Sequence, residues 1–204
     1  MLAYVFWHRP HPAVAPEDYE QAQVAFHRSL AHQRPVGMRG SALLRAAELP
    51  WLAPAGAGDG EPGYEDWYLV EDFAALGVLN EAAVGRGHRT SHDRAARHVG
   101  AGAGGLFGLF ETGESSALDG AAFASVSVAV WVERAPGSAE PAIGGLLGDG
   151  AEPGTATLWR RRLVLGPAPE FCLLAPEPPA GTAPSRLPGG WRATAFARDV
   201  LYHG

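Results

Sequence analysis

Residues 2–32 constrain the fold more than any other stretch of the chain. Leu2-Ala3-Tyr4-Val5-Phe6-Trp7 is an unbroken apolar run rich in aromatic and β-branched residues, closed by His8-Arg9-Pro10. Such a run is a strand. Alternation puts Tyr4, Phe6 and His8 on one face and Ala3, Val5 and Trp7 on the other. Both faces are apolar, so the strand must be covered on both sides. Pro10, Pro12 and Pro16 then break the chain, and Pro16 suits a helix's first turn, with Glu17 and Asp18 complementing its dipole. Tyr19, Phe26 and Leu30 form the helix's apolar stripe, with His27 beside it. Pro35 and Gly37 end it.

The rest of the first half follows in order. Met38–Leu52 reads as a second strand, and 53–63 as a Gly/Ala/Pro/Asp loop. Tyr64–Glu71 is a third strand, in which Trp67 and Leu69 alternate with Asp66, Tyr68 and Val70. Asp72 is an N-cap for a helix over Phe73–Val84. Ser91 caps a short helix, His92–Val99, and Gly100–Gly105 reads as a hinge before a fourth strand, Leu106–Glu111. The order β-α-β-β-α-β is the split βαβ arrangement of ferredoxin-like domains.

After a linker over 112–120 the pattern restarts in weaker form. Phe123–Glu133 is a strand, and Trp131-Val132-Glu133-Arg134-Ala135-Pro136 echoes Trp7-His8-Arg9-Pro10. A helical turn near Ile143–Leu147 stands where a first helix belongs. Thr155–Leu165 and Glu170–Leu174 form a hairpin, and Trp191–Tyr202 is a last strand. The chain is therefore expected to be α+β, a tandem ferredoxin-like protein with antiparallel sheets. Residues 1–114 form a half with intact helices, and 121–204 a degenerate half of strands and loops.

Composition removes several classes of function. All 16 basic residues are arginine, so neither a Schiff-base lysine nor a P-loop lysine exists. A net charge of -6 argues against nucleic acid, and the one basic run, Arg160-Arg161-Arg162, is too short to alter that. The single cysteine, Cys172, excludes an intramolecular disulfide and a thiolate metal cage. Lying in Phe171-Cys172-Leu173-Leu174, it reads as a buried structural thiol. No apolar run reaches the roughly 18 residues of a membrane span, and the N-terminus lacks a signal-peptide pattern. The expectation is a soluble cytoplasmic protein.

Gly100-Ala-Gly102-Ala-Gly104-Gly105 superficially matches a dinucleotide fingerprint, but that motif needs a strand before it and a helix after it. Here a helix precedes the glycines and a strand follows. A nucleophile elbow Gly-x-Ser-x-Gly is missing, and Ser115-Ser116 sits in linker sequence. No metal site and no cofactor are expected, since no histidine spacing completes a ligand set. A haem ligand at His92 or His98 is the minor alternative. That leaves His8, at the end of a strand, and His27, on the helix packed against that strand's sheet. If they share a cleft they can act as acid and base near neutral pH. Arg9, Asp66 or Tyr68 would orient them. Tyr4, Phe6, Trp67, Tyr68 and Arg9 are the expected ligand-binding residues. The bland reading of each histidine alone is a hydrogen-bonded boundary residue.

Three motifs together carry a family resemblance: Tyr4-x-x-x-His8-Arg9-Pro10, Pro16-Glu17-Asp18-Tyr19, and Phe26-His27-Arg28-Ser29-Leu30. They resemble the opening of EthD-like proteins of the dimeric α+β barrel superfamily. Asp66-Trp67-Tyr68-Leu69-Val70 with Phe73 and Leu76 is similar to that family's third strand and following helix. The match covers about the first 110 residues, and His27 corresponds best to the family's helix histidine. The long loop at 53–63, the extra prolines and the degenerate second half depart from the pattern. The resemblance implies two four-stranded sheets face to face, supplied here by one chain as a pseudo-dimer, with further homo-oligomerisation open. It implies a cleft for a small apolar, aromatic or polyketide-like molecule. The chemistry would be that of an acid–base isomerase, cyclase or monooxygenase-like enzyme, or else of a non-catalytic accessory binding protein.

Overall fold

The computed structural model describes residues 1–46, 49–52, 63–85, 87–110, 128–138, 146, 156–163, 169–178, 180–183 and 186–204. Eight strands close into an antiparallel barrel. They are β1 (Leu2–Pro10), β2 (Met38–Ala46), β3 (Gly63–Val70), β4 (Val99–Phe110), β5 (Val128–Glu133), β6 (Thr157–Arg161), β7 (Phe171–Ala175) and β8 (Arg192–His203). Around the barrel the order is β1-β3-β2-β8-β5-β7-β6-β4. The first four strands thus lie as β4-β1-β3-β2, and the last four in the equivalent order β8-β5-β7-β6. The seams are β2 with β8 and β4 with β6.

Alternation sorts side chains to two sides of the wall. Inward go Ala3, Val5, Trp7, Leu44, Trp67 and Phe107 from the first half, and Trp131, Trp159, Cys172, Leu174 and Phe196 from the second. Outward on the first half go Leu2, Tyr68, Val70 and Leu106, which meet Phe26 and Leu30 of α1 (Pro16–His32), Leu79 of α2 (Phe73–Val84) and Ala95 of α3 (Arg89–Arg97). β1 is covered on both sides, as its two apolar faces require. Asp72 caps α2 by accepting from the Ala75 N–H at 2.9 Å. Outward on the second half, Val130, Val132, Leu158, Phe171 and Leu173 are covered by Leu146 and Trp191. α1, α2 and α3 all belong to the first half, and Leu146 of the second half is also helical.

Several expected boundaries shift. β2 ends at Ala46, and a 3-10 turn over Pro50–Leu52 follows. α3 begins at Arg89 and ends at Arg97. The main correction concerns Gly100–Gly105. It is no hinge but the first half of β4, which runs from Val99 and pairs with β1 in register from Ala101 to Gly108. A Cβ at Gly102 would stand 2.5 Å from the Phe6 ring, and one at Gly104 2.5 Å from the Tyr4 hydroxyl. The glycines let two aromatic rings lie flat across the neighbouring strand. The 112–120 linker, Ser115-Ser116, nearly all of the 53–63 loop and all but Leu146 of the 143–147 turn lie outside the described residues.

Candidate functional site

The outer face of β1, β3 and β4 and the three helices enclose a cleft of about 830 Å³. Its floor is Tyr4, Phe6, Tyr68 and Asp66, its walls Phe26 of α1 and the stripe Phe73, Gly77, Asn80 and Val84 of α2. The period of two along β3 sends Tyr64, Asp66 and Tyr68 to this side and Glu65, Trp67 and Leu69 into the barrel. Tyr4, Phe6 and Tyr68 therefore stand where a ligand-binding role needs them. Trp67 does not: it packs in the barrel against Trp131 and Trp159, at ring distances of 5.8 and 5.6 Å. A residue between Asp66 and Tyr68 cannot share their face. Arg9 does not line the cleft either.

His8 and His27 reach one point from different elements. His8 comes from β1 and His27 from α1, and each Nε2 lies 3.2 Å from the same Asp66 oxygen, Oδ1. Both imidazoles are fully buried, and Asp66 is 2% exposed. His27 makes a hydrogen bond to Asp66, whereas the His8 Nε2 is off the line of one, so that contact is electrostatic. On their far sides, His8 Nδ1 meets the Tyr19 hydroxyl, and His27 Nδ1 meets Ser41 Oγ at 2.8 Å. With a hydroxyl at each Nδ1, both Nε2 atoms are turned toward the carboxylate. Tyr68 donates to the other carboxylate oxygen, Oδ2, at 3.0 Å. The His27 ring stacks on Tyr68 at 5.1 Å and 3°, and His8 lies between Phe6 and Tyr64.

Burial alone would raise the Asp66 carboxyl, but the imidazoles of His8 and His27 outweigh it and hold it below the usual carboxylate range. Burial first, and then the Asp66 charge, push the Tyr68 and Tyr4 phenols up. Both stay protonated donors at neutral pH. Tyr64, raised to about 12 by burial and by its hydrogen bond to Glu20, belongs to a neighbouring cluster with Arg45.

Asp66 is one of the three residues expected to orient the histidines, but histidine spacing had no means of choosing it among them or of finding Tyr19 and Ser41. The signal available was the alternation in Tyr64-Glu65-Asp66-Trp67-Tyr68, which puts one carboxylate between two tyrosines on one face. His92 also lines the cleft, edge-on to Phe26 at 5.4 Å with Nδ1 3.1 Å from Asp93. His98 lies at the end of α3, and its ring does not border the cleft. Among the described residues no three His, Cys, Asp or Glu side chains are grouped to hold a metal ion.

The fold has a solved counterpart. A crystal structure described as an anthrone oxidase-like protein superposes with a TM-score of 0.53 at 11% identity, covering 100% of this chain and 92% of that one. At that identity the likeness speaks for the fold, a barrel of this kind. No protein-family model and no curated protein matches the chain. Among the described residues no helix is long and apolar enough to cross a membrane.

Proposed function

We propose that this protein binds an apolar aromatic or polyketide-like molecule in the cleft, and that His8, Asp66 and His27 form its acid–base centre. One observation carries the reading: two buried histidines converge on a single carboxylate oxygen at the floor of an aromatic cleft. Of the three, Asp66 borders the cleft. It accepts a hydrogen bond from an acidic C–H or phenol of the ligand and relays the proton to the imidazole of His27, and His8 beside it helps to position the carboxylate. Tyr4 supplies a donor for an oxygen that gains charge as the proton leaves, while Tyr68 spends its own proton on the Asp66 carboxylate. The solved counterpart's description makes anthrone, with dioxygen as oxidant, the first substrate to test. The equivalent strand order of the two halves supports their reading as a ferredoxin-like repeat closed into a pseudo-dimer.

The test is anthrone oxidation followed by anthraquinone absorbance. Wild type is expected to exceed the spontaneous rate, and Asp66→Asn and His27→Gln to lower kcat by roughly 10²-fold or more. An unchanged rate in Asp66→Asn defeats the acid–base assignment. The second reading is an accessory protein that binds such compounds without turning them over. The full burial of His8 and His27 favours it, and it predicts saturable binding with no product.

A further inference from the structure

Gly77 has no structural reason to be glycine. It sits in the middle of α2, where glycine weakens a helix relative to alanine. Positive φ angles occur at Gly37, Gly87, Gly137 and Gly190, and Gly77 is not among them. A Cβ at Gly77 would meet nothing within 4 Å. Gly102 and Gly104 differ, because there a Cβ collides with Phe6 and Tyr4. Yet Gly77 borders the cleft, one helical turn from Phe73 and one from Asn80 on the same stripe. Its missing side chain is a notch in the cleft wall between larger neighbours.

We infer that Gly77 is the specificity-determining position of this cleft, and that the notch is reserved for a flat, fused-ring aromatic carrying a hydroxyl. This rests on the reading of the cleft as a ligand site. The deep end offers a carboxylate, Asp66, whose remaining acceptor capacity suits a hydroxyl donor. The floor is paved with rings: Tyr4 and Tyr68 are 6.2 Å apart and inclined by 25°, with Phe26 beside Tyr68 at 6.3 Å. Such faces stack on planar π systems. The mouth is apolar and open, with Phe73 59%, Val84 42% and Leu163 49% exposed. One or two rings reaching Asp66 leave the notch empty. A third fused ring extends toward the mouth and lays its edge on the bare helix at Gly77.

The experiment compares 2-hydroxyanthraquinone, with three fused rings, and 2-naphthol, with two, by calorimetric titration of wild type, Gly77→Ala, Gly77→Leu and Asp66→Asn. Melting curves show which variants fold. Wild type should bind both probes. Gly77→Leu should weaken the three-ring probe at least tenfold and change 2-naphthol less than twofold. Gly77→Ala should raise the melting temperature by roughly 2–4 °C while weakening the three-ring probe, so that stability and affinity move in opposite directions. Equal affinities for Gly77→Leu and wild type overturn the inference, as does equal loss for both probes. If binding also depends on Asp66 in either case, the cleft reading survives. Wild type that binds neither probe overturns both.

Discussion

The residue with most at stake is Asp66, a carboxylate 2% exposed and held by Tyr68 and two imidazoles. Removing one member of a buried charged cluster leaves the others without a counter-charge, at a cost of about 3–5 kcal/mol. Asp66→Asn should lose stability of that order in urea unfolding at pH 7. The pH dependence has a definite sign. The folded carboxyl ionises below the usual range and the unfolded one near its ordinary value. The contribution is therefore present in full above the unfolded value, and is lost as pH falls through it toward the folded value. Wild type should lose stability more steeply than Asp66→Asn below about pH 4. Parallel curves for the two proteins would falsify the role of the histidine pair in holding this charge.

At the scale of elements, β1 and β4 explain each other. Phe6 and Tyr4 lie across β4 at Gly102 and Gly104, and these two rings also pave the cleft floor. Gly104→Val should cost about 1–3 kcal/mol in unfolding free energy through overpacking against Tyr4. Replacing Tyr4 by Ala in the same chain should return part of that loss, since only contacting residues couple in such a cycle. Additive effects would show that the glycine serves something other than the ring. The glycine run was legible as a motif but not as a strand, because glycine has low strand propensity taken alone. Its pairing partner lies about a hundred residues earlier, and only that partner makes small side chains advantageous. The helices were legible more directly: Pro16 with Glu17 and Asp18 marks the start of α1, and Asp72 marks the start of α2.

At the scale of the whole molecule, the barrel interior joins the two halves. Trp7, Trp67, Trp131 and Trp159 meet there at ring distances of 5.1 to 5.8 Å, with Trp51 against Trp7 and Trp131. Among them lies Glu65, which accepts from Trp131 Nε1 at 2.8 Å and pairs with Arg198 at 3.4 Å, both side chains fully buried. Burial first, and then the Glu65 charge, push the Cys172 thiol up, which keeps it an inert core residue. Glu65 comes from β3 and Arg198 from β8, so the pair ties the first half to the second. Arg198→Met should destabilise by about 3–5 kcal/mol, since it strands a buried carboxylate, and adding Glu65→Leu should restore most of it. Guanidinium unfolding of the two variants checks this, and a double variant as unstable as the single one would contradict it.

Read alone, the sequence determined what local pattern can determine. It marked β1 as covered on both faces, placed the starts of α1 and α2, put Tyr4, Phe6 and His8 on one face, and excluded lysine and disulfide chemistry. These follow from periods of 2 and 3.6 and from which atoms a chain possesses. Tertiary structure decided the rest: that β2 meets β8 and β4 meets β6, that Trp67 turns into the barrel, and that His8 and His27 meet on Asp66. Those outcomes depend on contacts between residues far apart in the chain, and no local period encodes which distant strand closes a barrel or which carboxylate two histidines will share.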